Sequence, residues 1–212
     1  VPLTDMEFDA SGQLWATTGG GPLVLVDPVS GQILDRFGDG ISLGMAVDDS
    51  KDAIYVSTSS GVQIFDIVRH TFRPFSSTRV DGLALAADGT LWGTTWPEEG
   101  QVVSLNRVGN VEVILDLDGA EGLAFGRTGT PLQNLLFVNQ DSGNLAMVDL
   151  VSLEYVTIAT GGTRGDFLHV GPDGRLFVTQ SSQVDIVAAA VAPRVLDPVP
   201  TPGSFLLPGA GG

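Results

Sequence analysis

The chain has 212 residues, of which 43% are hydrophobic, and a formal net charge of −15. This apolar content is enough for a folded core and excludes a disordered chain. The strong negative charge argues against nucleic acid and anionic membrane surfaces as partners, and leaves cations, neutral sugars and proteins. No cysteine is present, which excludes disulfides and thiolate metal sites. No apolar run is long enough to span a membrane.

The sequence repeats itself about every 40 residues, and three markers run in phase. The first is an aromatic residue inside a short strand motif: Trp15, Tyr55, Trp92, Phe137 and Phe177. The second is a large apolar residue in the preceding strand: Met6, Met45, Leu83, Leu123 and Leu168. The third ends the following strand: Asp27, Asp66, Asn106 and Asp149. A period of this length is typical of paired-helix repeats or of four-stranded propeller blades.

The segments between the turns favour strands. They are short, rich in Val, Ile, Leu, Thr and aromatic residues, and punctuated by Gly, Asp, Asn and Pro. No window has a sustained helical period, and 28 glycines would be costly inside helices. The first unit predicts strands at about 4–9, 13–18, 22–27 and 32–37. Since stacked blades bury both faces of each sheet, we predict an all-β fold, a β-propeller of about five four-stranded antiparallel blades.

The predicted blades cover about 4–41, 42–79, 80–118, 119–163 and 164–197, so that one propeller domain takes up residues 1–197. The fifth unit is irregular, because Ala188 stands where the other units have a turn Asp or Asn. Residues 193–197 are the candidate for its last strand. The alternative is that these units are a piece of a larger ring.

Residues 198–212 are rich in Pro and Gly and predict a flexible tail. Within it, Val199–Leu207 resembles the start of a PEP-CTERM-type bacterial sorting signal. The membrane helix and the basic cluster of such a signal are not in this sequence. The resemblance implies export, and therefore an extracellular or bacterial cell-envelope location.

The repeat pattern itself also resembles a known superfamily. The segments Gly82–Thr94, Gly122–Val138 and 170–182 are similar to propellers of the NHL and gluconolactonase (SMP-30) type. The resemblance covers residues 4–187 and implies the fold. Enzymes of this superfamily usually have six or seven blades, so five blades depart from their pattern. Because propellers carry many unrelated activities, the resemblance implies little about function.

One position of the repeat carries candidate metal ligands. Just before each innermost strand stand Thr4, Leu43, Asp81, Glu121 and Asp166. Three carboxylates at one mouth need a cation or hydrogen-bond donors to neutralise them. By resemblance to gluconolactonase-like proteins, Asp81, Glu121 and Asp166 are candidate ligands for Ca²⁺ or another divalent cation. The alternative is that they accept backbone N–H bonds in the incoming loops.

Three further features complete the candidate residues. The aromatic marker of each blade predicts a ring that fills the gap between blades. His169 aligns with Ala84 and Ala124, which predicts a core histidine. Trp96, in a loop with Pro97, Glu98 and Glu99, is a candidate contact for a sugar or a protein.

The sequence contains no nucleophile elbow, no HExxH motif and no phosphate-binding loop, so no catalytic residue is assigned. We therefore expect an exported, non-catalytic binding or scaffold propeller. One alternative is a metal-assisted hydrolase or lyase of the gluconolactonase type, with the cation at the acidic mouth. A second alternative is a carbohydrate-binding propeller.

Overall fold

The structure, a computed structural model, describes residues 2–95, 100–165 and 167–188. These ranges are all-β, as predicted, with one 3₁₀ turn at Asp49–Lys51. None of the described residues forms a helix that could cross a membrane. Within each sheet, every strand pairs antiparallel with the strand next to it in the chain, as expected for short strands joined by Asp- and Gly-containing turns.

The first two repeat units share one seven-stranded sheet. Its strands are β1 (Met6–Phe8), β2 (Leu14–Ala16), β3 (Gly21–Val26), β4 (Ile33–Asp48), β5 (Ala53–Thr58), β6 (Gly61–Asp66) and β7 (Thr71–Ser76). The third unit is a four-stranded sheet of β8 (Leu83–Leu85), β9 (Leu91–Thr94), β10 (Gln101–Leu105) and β11 (Val111–Asp116).

The fourth unit is again four-stranded, with β12 (Ala120–Phe125), β13 (Leu135–Gln140), β14 (Leu145–Asp149) and β15 (Tyr155–Ala159). In the fifth unit the described residues form three strands, β16 (Leu168–Val170), β17 (Leu176–Thr179) and β18 (Val184–Val187). The segment 193–197, predicted as the missing strand, lies outside the described residues, as does the predicted tail. We call the sheet of each repeat unit a blade, numbered 1 to 5.

Strand β4 runs further than the sequence predicts, because it belongs to two blades. Its first half pairs with β3 and its second half pairs with β5, and Ile41 pairs with both strands. The chain bends between the halves at Gly38 and Gly40, whose φ angles of 64° and 71° favour glycine. The outer strand of blade 1 thus leads directly into the innermost strand of blade 2.

The third sequence marker has a local explanation. Each of these residues closes a turn by accepting backbone N–H groups with its own side chain, which is the Asx-turn geometry. Asp27, for example, accepts the N–H groups of Val29 and Ser30. The same pair of bonds recurs at Asp66 and Asp149, and the side chain of Asn106 accepts the N–H groups of Val108 and Asn110. These bonds lower the pKa of Asp27, Asp66 and Asp149.

The core lies between blades. Four apolar clusters join blade 1 to blade 2, 2 to 3, 3 to 4, and 4 to 5. In each cluster the aromatic marker of one blade packs with the large apolar residue on the innermost strand of the next. The four pairs are Trp15 with Met45, Tyr55 with Leu83, Trp92 with Leu123, and Phe137 with Leu168. The prediction that these rings fill gaps between blades is confirmed for these four aromatic residues.

Candidate functional site

The innermost strands of all five blades line one cavity of about 350 Å³. Each blade contributes the strand that comes first in its unit: β1, the second half of β4, β8, β12 and β16. Most of the lining is apolar, as expected where strands turn one face to the core. The polar side chains in the lining include those of Asp5, Glu7 and His169.

Asp5 binds the next blade through its side chain. One carboxylate oxygen accepts the backbone N–H of Met45, and the other accepts the N–H of Met6. Protein atoms surround this carboxyl, although the cavity leaves it partly exposed to water. This burial raises its pKa to about 6, against the opposing effect of the two hydrogen bonds.

Glu7, in β1, repeats the arrangement two residues further along the chain. Its Oε2 accepts the backbone N–H of Val47 at 2.8 Å. Burial raises the pKa of Glu7 to about 8, and the negative charges of Asp5 and Asp49 add to the effect. At neutral pH Glu7 is therefore largely protonated, and it joins two blades as a neutral group.

Neither Asp5 nor Glu7 was among the residues singled out from the sequence, although a signal was present. At these two positions blades 2, 3 and 4 have glycine and then alanine: Gly44 and Ala46, Gly82 and Ala84, Gly122 and Ala124. Small residues let neighbouring innermost strands approach closely. Blade 1 replaces both with carboxylic acids, and these departures from the repeat mark the polar wall of the cavity.

The prediction that His169 is a core histidine is wrong. It occupies the same position as Ala84 and Ala124, on the face that meets the next blade. Among the described residues no blade follows blade 5, so the ring of His169 is exposed and borders the cavity. The surrounding protein nevertheless lowers its pKa, and the positive charge of Arg127 lowers the pKa further.

The predicted metal ligands Asp81 and Glu121 are both buried at the entrances of blades 3 and 4. The carbonyl of Asp81 accepts the N–H of Gly44, and that of Glu121 accepts the hydroxyl of Thr94 at 2.5 Å. In both cases the donor lies in the preceding blade. The entrance residues therefore join blades through their backbones. Asp166 lies outside the described residues.

The side chain of Glu121 pairs with an arginine. Its Oε1 accepts Nε of Arg164 at 2.8 Å and is also in contact with Nη2. A guanidinium beside a carboxylate favours the ionised acid but repels a metal ion. Within the described ranges, no group of three His, Cys, Asp or Glu side chains could hold a metal. The described residues do not form a metal site by themselves, so the three-carboxylate site stays a prediction that depends on Asp166.

A further bond between blades lies at the entrance of blade 5. Asn139 of blade 4 donates its side-chain N–H to the carbonyl of Gly165 at 2.5 Å. Its Oδ1 is buried, with no hydrogen-bond partner among the described residues. Trp96, the predicted contact for a sugar or a protein, lies outside the described residues with its neighbours Pro97, Glu98 and Glu99.

Comparison with solved structures identifies the fold. The Cps50 (Swd1) β-propeller domain of Myceliophteria thermophila superimposes with a TM-score of 0.61 over 93% of this chain, at 15% identity. The RRP9 WD40 repeats match 83% of it with a TM-score of 0.64, at 13% identity. The fold is a β-propeller. At these identities the likeness concerns the fold alone.

A third similar structure is an extracellular domain assigned to a one-component system of B. thetaiotaomicron, with a TM-score of 0.64 and 10% identity over 91% of this chain. The chain spans 69% of the Cps50 domain, 56% of the RRP9 repeats and 27% of the B. thetaiotaomicron domain. No protein-family model and no curated protein matches the sequence.

Proposed function

We propose that this propeller is a non-catalytic binding or scaffold module. The observation that supports this proposal most directly is that acidic side chains near the axis form hydrogen bonds with protein groups of neighbouring blades. Asp5 and Glu7 accept backbone N–H groups of blade 2, and Glu121 accepts an arginine side chain. Carboxyl groups held in this way hold the blades in place and leave the apolar cavity and the outer rim for contact with a partner.

The similar structures support this proposal at a coarse level. One is a set of WD40 repeats, and two are extracellular domains assigned to one- or two-component systems. The likeness to those proteins does not identify a binding partner for this chain. A protein is the partner class that we favour, because the net charge of −15 excludes most polyanions and leaves basic protein surfaces.

A turnover assay tests the non-catalytic part of the proposal. The purified chain would be incubated with lactones and aryl esters, in EDTA and then with Ca²⁺, Mg²⁺, Mn²⁺ or Zn²⁺. We expect no turnover above the buffer rate under any condition. Metal-dependent turnover that is lost in Asp81→Ala and Glu121→Ala would instead establish the hydrolase or lyase of the gluconolactonase type.

The carbohydrate-binding alternative depends on Trp96. An indole ring stacks well on a sugar face, and the adjacent Glu98 and Glu99 could accept hydrogen bonds from hydroxyl groups. A glycan array probed with the native chain and with Trp96→Ala tests this alternative. A signal that Trp96→Ala removes would favour sugar binding, and a silent array would count against it.

The full extent of the propeller belongs to the same proposal: five four-stranded blades in 1–197, followed by the tail 198–212. In blades 1 to 4 the fourth strand begins five to seven residues after the third ends. Since β18 ends at Val187, this spacing would place the fourth strand of blade 5 near residues 193–197. A chain that ends at residue 188 should then unfold at a lower temperature than one that ends at residue 198.

We further propose that the protein is exported, to the extracellular space or to a bacterial cell envelope. The support is the resemblance of Val199–Leu207 to a sorting signal, together with the extracellular domains among the similar structures. Fractionation of cells that make the natural protein, with an antibody against the propeller, tests this location. Recovery in the cytoplasmic fraction alone would contradict it.

A further inference from the structure

The axial cavity is apolar over most of its wall and acidic on one side. Its volume of about 350 Å³ lies at the lower end of the range for ligand pockets. Blades 3 to 5 line it mainly with apolar side chains, among them Leu83, Leu123, Phe125, Leu168 and Phe177. Blade 1 adds the carboxyl groups of Asp5 and Glu7. The cavity therefore suits a small molecule with an apolar body and one polar end.

The two acids keep hydrogen-bonding capacity that the protein does not use. Oε2 of Glu7 accepts the N–H of Val47, and its Oε1 makes no hydrogen bond to the described residues. Each carboxylate oxygen of Asp5 accepts one backbone N–H and has a second lone pair. A group that donates hydrogen bonds is therefore the complement of this wall.

The wall also lacks a positive charge. Neither Asp5 nor Glu7 has an ion-pair partner in the part of the chain that the structure describes. The two charges that act on Glu7, those of Asp5 and Asp49, are both negative. Carboxyl groups buried without a cation are held in their neutral forms. A positively charged ligand would supply what this wall is missing.

The other titratable groups near the acids leave room for a cation. Strand β2, which pairs with β1, carries no charged residue. Asp48, at the end of β4, forms an ion pair with Lys51. His169 borders the cavity, and the nearby Arg127 and the surrounding protein lower its pKa, so that its ring is neutral above pH 7. This histidine therefore does not repel a positive ligand at neutral pH.

We infer that the axial cavity binds a small organic ammonium ion, with the ammonium group at Asp5 and Glu7 and the apolar body against blades 3 to 5. The net charge of −15 favours the approach of a cation. A Ca²⁺ ion needs six or more oxygen ligands, and the described residues offer no group of three acids or histidines. The ligand is a small molecule, so the inference holds or fails independently of the protein partner proposed above.

Isothermal titration calorimetry with phenethylamine and with its neutral isostere phenethyl alcohol tests the inference. At pH 8.5 we expect the full chain to bind the amine about tenfold more tightly than the alcohol, because an ammonium group forms charge-assisted hydrogen bonds. Glu7→Gln should remove most of this difference, while its amide oxygen can still accept the N–H of Val47. The matched control is Glu112→Gln, an exposed acid of β11 outside the cavity, which should keep the difference.

The pH dependence of binding identifies the acid that meets the ammonium group. An ammonium ion favours ionised Glu7, whose pKa in the folded chain is about 8, so affinity for the amine should rise several-fold from pH 6.5 to pH 8.5. Affinity for the alcohol should not rise. Four results would each overturn the inference: equal affinity for the two probes, no binding of either, no change in Glu7→Gln, or no effect of pH on the amine.

Discussion

The Asp5 carboxylate accepts the backbone N–H of Met45 at 2.9 Å, across the boundary between blade 1 and blade 2. Glu7 makes the equivalent bond to Val47 two residues further on. At the boundary between blades 2 and 3 the N–H of Gly44 instead reaches a backbone carbonyl, that of Asp81. Blade 1 is thus joined to its neighbour by acid side chains, and the strength of this connection depends on pH.

The first prediction concerns Glu7→Gln. The folded state raises the pKa of Glu7 from 4.5 to about 8, so the folded chain binds more protons than the unfolded chain between these values. Stability from Glu7 is therefore fully present below about pH 4.5 and is lost as the pH rises to about 8. A glutamine keeps an acceptor for Val47 without this loss. We expect it to stabilise the protein by about 1–2 kcal/mol near pH 8 and little near pH 5, since water in the cavity screens the charge.

Urea unfolding of both proteins between pH 5 and pH 8.5 measures this difference. Asp5→Asn is the matched comparison. Both carboxylate oxygens of Asp5 accept N–H groups, and an asparagine would turn its own amide donor towards one of them. It should therefore destabilise the fold above about pH 6, where the carboxyl group of Asp5 is ionised. An identical pH dependence for Glu7→Gln and the native chain would show that Glu7 is ionised throughout.

The second prediction concerns the ion pair between Arg164 and Glu121. Because Glu121 is buried, Arg164→Ala leaves a carboxylate in the protein interior without its guanidinium. We expect a loss of about 1–3 kcal/mol, less than for a fully buried pair because Arg164 is 45% exposed.

Arg175→Ala is the control for the ion pair, since both members of the pair with Asp173 are about half exposed. Its cost should stay below about 1 kcal/mol. Adding Glu121→Gln to Arg164→Ala should restore part of the stability, because the amide carries no charge. A double mutant that is less stable than Arg164→Ala would contradict this account.

The third prediction concerns Asp9, which holds both a turn and a core indole. One oxygen accepts the N–H groups of Ser11 and Gln13, and the other accepts Nε1 of Trp15 at 2.9 Å. Asp9→Ala leaves a buried indole N–H unsatisfied and should cost about 2–3 kcal/mol. In Asp88→Ala the lost turn bond is that to the N–H of Thr90, and the cost should be well under half of this. Denaturant unfolding compares the two variants, and equal losses would mean that the indole bond contributes nothing.

Low pH should reduce the stability that the Asp9 carboxylate contributes. Burial opposes ionisation of Asp9, but the hydrogen bonds from Ser11 and Trp15 outweigh it and lower the pKa of this carboxyl. A lowered pKa stabilises the fold above the pKa of the unfolded chain, and that contribution is lost as the pH falls through the folded value. The difference in stability between the native chain and Asp9→Ala should therefore shrink below about pH 4.

The repeat made the fold predictable because each marker has a physical cause that recurs in every blade. The aromatic residues fill gaps between sheets, and the Asp and Asn residues close turns. The long β4 was not predicted, because two blades share it and the chain stays paired on both sides of the bend at Gly38 and Gly40. A strand prediction made one unit at a time stops at the unit's boundary.

The polar groups were harder to predict, because their roles depend on what faces them. The sequence singled out Glu121 as an acid but not its partner Arg164, which lies 43 residues further along the chain. His169 occupies the position that packs against the next blade in other units of the repeat. It was predicted to be buried, and it is exposed because no described blade follows blade 5. Asp5 and Glu7 were not predicted, because a repeat marks the positions where a type of residue recurs, and these two acids occur at their positions in one blade alone.

The most direct test is thermal unfolding in EDTA and then in millimolar Ca²⁺, Mg²⁺, Mn²⁺ or Zn²⁺. It asks whether Asp81 and Glu121 only join neighbouring blades or, together with Asp166, hold a metal ion. A cation bound only by the folded state at 100 times its Kd would add roughly 2.7 kcal/mol, or several degrees at about 2–4 °C per kcal/mol. We predict the same unfolding temperature with every cation, for the native chain and for Asp81→Ala. A rise of several degrees that disappears in Asp81→Ala would contradict the bracing role and make Asp81, Glu121 and Asp166 a metal site.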